Sequence, residues 1–288
     1  MWSGFFIYWN KMKVAIQGYE GSFHDIVAKE FFSNNIDTIE CNTFELFFET
    51  IKAENIQYGV MAIENSIVGT IIHNYNLLKN SDYTITGEAY LEIQHHLMAL
   101  KDQTLNDIKV VKSHEMAILQ CSNYFKDKPW IKLEKGFDTA LVAKEIKKDQ
   151  IKGLAAIASK PAAALNGLNI LAKGIQNYSK NYTRFLVLAK KNNKDYHYKN
   201  NNKVSIYFSL EHRPGSLAQV LSTFSYFGLN LTKIESVPKV TEIWQYYFYV
   251  DIEYGDTVSI LECMEAIKHY TSNMEILGVY KKGNTLLK

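Results

Sequence analysis

The chain has 288 residues, 47% of them hydrophobic and 22% charged, the profile of a soluble globular protein with room for one large or two ordinary domains. Its 32 Lys plus Arg against 30 Asp plus Glu leave a formal charge of +2 spread along the chain, which excludes the concentrated basic face of a nucleic-acid or anionic-membrane binder. Cys41, Cys121 and Cys263 are odd in number and far apart, so they suit a reducing cytosol and neither a disulfide framework nor a zinc site.

The apolar run from Trp2 to Trp9 is too short to span a bilayer and lacks the basic start and cleavage site of a signal peptide, so residues 1–11 read as an upstream start or an extension. From there to residue 190, β-rich runs alternate with helical patterns, as in an α/β domain. Lys13-Val-Ala-Ile-Gln17 leads through Gly18-Tyr-Glu-Gly21 to Ser22 and a helix reaching about Phe32. Tyr58-Gly-Val-Met-Ala-Ile63 leads through Glu64-Asn65-Ser66 to a segment ending about Leu78. Lys109-Val-Val-Lys112 meets Ser113 and a helix to about Tyr124, and Leu154-Ala-Ala-Ile-Ala158 meets Ser159-Lys-Pro161 and a helix to about Asn166. Ser22, Ser66, Ser113 and Ser159 thus follow strand ends, where open α/β sheets bind ligands and helix N-termini favour anions, although each can equally be an ordinary helix cap.

Residues 191–202 are polar and aperiodic and read as a linker. Beyond them come a strand over 203–210, a helix over 217–227, strands over 230–237 and 243–253, a helix over 257–270 and a strand over 274–281, the βαββαβ order of a ferredoxin-like α+β fold. In the fourth of these, Trp244, Tyr246, Phe248, Val250 and Ile252 alternate with their neighbours at a period of two. Of all the basic residues only Arg184 and Arg213 are arginine, which marks them as places where a planar fork is needed, Arg184 the better candidate.

Metal ligation and common cofactors find no motif. His95-His96 in a strand would point to opposite faces, Gly18-Tyr-Glu-Gly21 is not a dinucleotide fingerprint, and there is neither a Gly-x-Ser-x-Gly elbow nor a phosphate loop. What remains is a cofactor-free site for a small anion.

Several ordered motifs resemble the prephenate dehydratase family: Gln17-Gly-Tyr-Glu-Gly-Ser-Phe23, Gly59-Val-Met-Ala-Ile-Glu-Asn-Ser-Ile-Val-Gly69, Ser113-His114 with Gln120-Cys121, Asp138-Thr-Ala140, Ala155-Ala-Ile-Ala-Ser159 and Asn181-Tyr-Thr-Arg-Phe185. Asn177 stands where the family commonly has an acid. The resemblance implies a two-lobed catalytic domain over 12–190, periplasmic-binding-protein-like of type 2, with chain crossings near 98–105 and 178. It also implies conversion of prephenate to phenylpyruvate without a cofactor or metal. Thr183, Arg184, Phe185, Asn65 and Ser66 would be catalytic, with Thr183 helping hydroxide to leave and Arg184 clamping a carboxylate; Gly21, Ser22, Glu64, Ser113 and Gln120 would bind substrate, and His24 and His114 would be structural or supporting.

Over 203–288, Arg213-Pro-Gly-Ser-Leu217 and Gly228-Leu-Asn-Leu-Thr-Lys-Ile-Glu-Ser236 resemble the two segments with which ACT regulatory domains bind phenylalanine between subunits. Pro214, Gly215, Ser216, Leu217, Asn230, Leu231, Glu235 and Ser236 would form that effector site, with Ser216 and Val237 departing from the usual Ala and Arg. A cytoplasmic homodimer or homotetramer is implied, without nucleic-acid or membrane partners. Arogenate as substrate, a non-catalytic sensor of small anions and a purely structural ACT-mediated assembly factor remain alternative readings.

Overall fold

The computed structural model describes residues 11–191, 199–239, 242 and 244–286; nearly all of the expected N-terminal extension, most of the expected linker and Ile243 lie outside the described residues. Two compact units divide the chain, one gathering residues up to 69, 91–185 and the stretch from 286, the other gathering 70–90 and 186–285. No helix among the described residues is long and apolar enough to cross a membrane.

In the first unit, strand Met12–Gln17 pairs in parallel with Ile36–Cys41 and with Tyr58–Asn65. Val14, Ala15 and Ile16 are fully buried, as an unbroken apolar run in a doubly covered parallel strand requires. The crossover helices Phe23–Phe32 and Phe44–Ala53 start on Ser22 and Thr43, whose hydroxyls accept from the Asp25 and Leu46 amides.

A second sheet of five strands runs in the order Asn169–Ala172, His96–Ala99, Leu154–Ala158, Val110–His114, Lys132–Gly136. Alternate residues feed opposite faces. Leu97, Ala99, Val111, Ala155 and Ile157 enter one core, while Met98, Ala156 and Ala158 enter the other with helix Thr139–Asp149. The chain passes to this sheet over 93–95 and not near 98–105, because His96, Leu97 and Met98 already pair with Ala158, Ile157 and Ala156. It leaves after Ala172 and re-enters the first sheet at Tyr182.

Within the second unit the order is strand Lys203–Ser209, helix Ser216–Tyr226, strands Asn230–Pro238 and Tyr246–Glu253, helix Thr257–Lys268 and strand Ser272–Tyr280. Strand Lys203–Ser209 lies between Tyr246–Glu253 and Ser272–Tyr280, and Asn230–Pro238 pairs with Tyr246–Glu253, all antiparallel. Val204, Ile206 and Phe208 face the helices and meet Val220, Phe224, Ile260 and Met264. The strand expected from 243 begins at Tyr246, since Trp244 takes a left-handed φ of 60° and the Gln245 amide closes a turn on Glu242.

Residues 70–90 belong to this second unit although residues 91–185 separate them from the rest of it. Ile85 pairs with Gly278, where any side chain would collide with the Ile85 carbonyl, and the Thr84 hydroxyl donates to Leu277 O at 2.8 Å. Glu88 is buried with Lys203 at 2.9 Å. Helix Ile72–Lys79 adds Tyr75, stacked obliquely on Tyr249 at 4.8 Å.

Candidate active site

Asn65 ends strand Tyr58–Asn65 and Thr183 is the second residue of strand Tyr182–Lys190. The Asn65 amide nitrogen donates to Thr183 Oγ1 at 2.9 Å and to Asn181 Oδ1 at 2.7 Å, while its oxygen accepts from the Ile67 and Val68 backbone amides at 3.0 and 3.1 Å. With Asn65 occupying a lone pair of Oγ1, the Thr183 proton points elsewhere, and it has no acceptor among the described residues. Thr183 is 8% exposed, so this is a nearly buried hydroxyl that keeps its proton to donate.

Gln120 joins the group from the other sheet's helix Glu115–Gln120. Its Oε1 accepts from Asn181 Nδ2 at 2.9 Å and from His95 Nε2 at 3.0 Å, and its amide nitrogen is left without a protein partner among the described residues. Asn177 secures this helix end, its backbone amide donating to Gln120 O at 2.6 Å and its side-chain nitrogen to Leu119 O at 3.2 Å. A carboxylate could not make the second bond, a local reason for the amide at this position.

Asn181 and His95 were not among the expected site residues. Asn181 is fully buried and bridges Asn65 to Gln120, a role with no sequence signal beyond its place at the head of Asn181-Tyr-Thr-Arg-Phe185.

Arg184, the expected carboxylate clamp, does not share the face of Thr183. Successive strand residues face opposite ways, so Arg184 turns from Thr183 to the side of Glu64, with Nη1 and Oε2 3.9 Å apart, and is 5% exposed. Glu64 likewise faces away from Asn65. Phe185 is buried, edge-on to His24 at 5.0 Å, and packs the strand instead of reaching the cleft. The His24 imidazole accepts from the Ala62 amide at 3.1 Å, and burial holds its pKa down to about 3.

The four serines part ways. Ser22 and Ser159 cap helices, and Ser159 also donates to Gly21 O at 2.5 Å, tying together the helices of the two sheets. Gly21 sits there with φ of 86°, and a Cβ would lie 2.9 Å from Ala162 Cα. Gly21 and Ser22 therefore hold the lobes at a contact instead of lining an open anion pocket. Ser113 is not a cap: it is buried in its strand and donates to Ile157 O at 2.6 Å, and His114 caps the following helix. Nor does Ser66 begin a helix, which starts at Ile72; its hydroxyl accepts from the Tyr182 amide at 2.9 Å. Beside it opens a cleft of about 510 Å³ lined by Ser66, Ile67, Tyr178, Ser179 and Lys180. His114, exposed at the head of its helix, lies on the cap and not in the amide chain.

In the second unit, Pro214 and Gly215 precede helix Ser216–Tyr226, Gly215 with φ of 83°. Ser216 donates to Arg213 O at 3.1 Å, and Leu217 packs on the helix-side core. Asn230 begins its strand exposed, whereas Leu231 and Ser236, the latter opposite Phe248, share the helix-side face. Glu235 lies opposite Tyr249 on the other face and accepts from Thr70 at 2.8 Å, which separates it from Leu231 and Ser236.

The prephenate dehydratase family model matches residues 14–193. A bifunctional chorismate mutase/prephenate dehydratase of Aquifex aeolicus is 34% identical over 94% of this chain and 74% of its own. Among solved structures, prephenate dehydratase from Arthrobacter aurescens in complex with L-Phe is 25% identical with a TM-score of 0.82, covering 93% of this chain and 89% of that one. One described as GqqA, a novel type of quorum-quenching acylase, is also 25% identical, with a TM-score of 0.84 over 94% and 98% of the two chains. With a matching model over most of its length and a relative 34% identical over 94% of it, this chain belongs to the prephenate dehydratase family.

Proposed function

We propose that the protein converts prephenate to phenylpyruvate, carbon dioxide and water, with Thr183 supplying the proton that leaves with the ring hydroxyl. The observation carrying this reading is the Asn65 amide bonded to Thr183 Oγ1 at 2.9 Å, which leaves the hydroxyl proton for a ligand. In the reaction the ring C–O bond breaks and the departing oxygen takes up a proton as water. The electron pair of the C–CO2 bond enters the ring, and carbon dioxide is released. Aromatisation drives both bond changes, and neither calls for a cofactor.

Threonine is a weak acid at neutral pH, so its proton moves with the breaking bond, and the Asn65 N–H compensates the charge that develops on Oγ1. Such general-acid help is worth roughly 100- to 10,000-fold. The substrate's two carboxylates find donors in the Gln120 amide nitrogen and in Lys180 beside the Ser66 cleft. Arogenate differs in its side-chain amino group, to which none of these contacts is specific.

For the second unit we infer an ACT-type regulatory domain that binds L-phenylalanine. Its βαββαβ order and the glycine-led start of helix Ser216–Tyr226 support this, as does the L-Phe bound by the Arthrobacter relative. Strand Asn230–Pro238 is the edge of its sheet, a surface on which a second copy can continue pairing into a homodimer or homotetramer. Phenylalanine would inhibit by its differential affinity for two states of the enzyme. Three buried, unbridged cysteines suit a cytoplasmic protein.

Purified protein mixed with prephenate at neutral pH, with phenylpyruvate followed by its absorbance in alkali, tests the catalytic reading. Turnover suppressed by phenylalanine supports both assignments. Preference for arogenate replaces the substrate, and binding without turnover of either compound favours the sensor.

A further inference from the structure

The two ends of a side-chain amide are told apart by their partners. Asn65 Oδ1 accepts from two backbone amides, Ile67 and Val68, which can only donate, so its nitrogen must be the end that meets Asn181 at 2.7 Å. Asn181 therefore presents its oxygen to Asn65 and its nitrogen to Gln120 at 2.9 Å. Gln120 must then present its oxygen, which lies 3.0 Å from His95 Nε2. An amide oxygen has no proton to give, so the proton in this last contact sits on His95 Nε2. Two backbone amides thus dictate the polarity of every bond from Asn65 to the imidazole.

His95 is built to hold that direction. It is 3% exposed, its ring stands edge-on to Phe23 at 5.6 Å, its backbone amide donates to Gln176 Oε1 at 3.0 Å, and its carbonyl accepts from the Ile175 amide at 2.9 Å. Gln120 is only half-buried, and without the His95 donor its carboxamide would be held against turning over by the Asn181 bond alone. Such a flip would set two N–H groups against each other at Asn181 and release the amides that aim Thr183.

We propose that His95, as the Nε2–H tautomer, is a positioning residue for the dehydration: it fixes the Gln120 amide and, through Asn181 and Asn65, the Thr183 hydroxyl. The proposal rests on the dehydratase reading above. Its test compares His95→Leu, which removes the donor, with His95→Gln, whose amide nitrogen can replace Nε2, each checked for native circular dichroism. His95→Leu is expected to lower kcat about 10- to 100-fold with KM moved less than about threefold, and His95→Gln to recover most of the loss. Unchanged kcat in the folded leucine variant, or equal impairment of both folded variants, overturns the role.

A second readout needs no substrate. Nitrogen-15 spectra of histidine-labelled protein should show His95 as Nε2–H, with that tautomer preference lost in Gln120→Leu; an Nδ1–H wild type overturns the positioning role even if prephenate is consumed. An Nε2–H wild type that forms no phenylpyruvate instead overturns the dehydratase reading, and with it the catalytic consequence assigned to His95.

Discussion

The bond between Asn65 and Thr183 runs from amide to hydroxyl, Nδ2 to Oγ1 across 2.9 Å, and its direction decides what Thr183 can do next. Asn65→Asp has nearly the same shape and its first oxygen can still accept from Ile67 and Val68, but the second becomes an acceptor facing Asn181 Oδ1 and Thr183 Oγ1. Thr183 would then spend its proton on the aspartate. We expect kcat for phenylpyruvate formation to fall at least about 100-fold in a folded protein. An Asn65→Asp enzyme within about threefold of wild type would remove the directed-proton account.

Arg184 yields a prediction of the opposite kind, since it faces Glu64 and not Thr183. Arg184→Ala should lower the unfolding free energy in urea by about 2–3 kcal/mol, combining a lost ion pair with lost packing of the buried stem. Glu64 is 36% exposed and can rehydrate, which keeps the loss below that of a fully buried pair. KM for prephenate should move less than about threefold. A tenfold rise in KM at unchanged stability would instead assign the carboxylate clamp to Arg184.

What could be read from the sequence followed how local its cause was. The alternation through Tyr246, Phe248, Val250 and Ile252 and the helical spacing of Leu217, Val220 and Phe224 are binary patterns imposed by one buried face, and both appear as a strand and a helix. Ser22 and Ser159 cap the helices that follow them, a bond spanning three residues in each case. Ser113 looked the same but donates across the sheet to Ile157, 44 residues on, and no local pattern reports that choice. Asn181 meets Asn65 at a separation of 116 residues and Gln120 at 61. The placement of 70–90 depends on Gly278 letting the Ile85 backbone approach, which is likewise invisible until both strands are in space.

Lys203 and Glu88 form a pair with 1% and 0% of their side chains exposed, at 2.9 and 3.1 Å to the two carboxylate oxygens, and the Gly283 amide and Tyr90 hydroxyl also donate to Glu88 at 3.1 and 3.4 Å. Lys203→Met strands the carboxylate in a dry site and should cost about 3–5 kcal/mol. Adding Glu88→Leu should return most of that loss, because the charge needing compensation is gone. Urea unfolding of the two single variants and the double variant measures the coupling. Purely additive losses would mean that the pair does not act as a unit.

His24 sets a pH dependence whose sign follows from its burial. Its imidazole is kept neutral, with a pKa of about 3 in the folded protein against 6.5 as its ordinary value. Between those values the unfolded chain binds a proton that the folded chain refuses, so stability falls as pH drops from 6.5 toward 3, by about 1.4 kcal/mol per pH unit from this group alone. His24→Gln can keep an acceptor for the Ala62 amide but cannot titrate, and it should remove that slope while lowering stability at neutral pH through lost packing against Phe185. Urea unfolding at several values from pH 4.5 to 7 separates the two effects, since packing shifts the whole curve and titration changes its steepness. Parallel curves for variant and wild type would mean that the folded imidazole takes up its proton as readily as the unfolded one, and that burial around Ala62 and Phe185 does not keep it neutral.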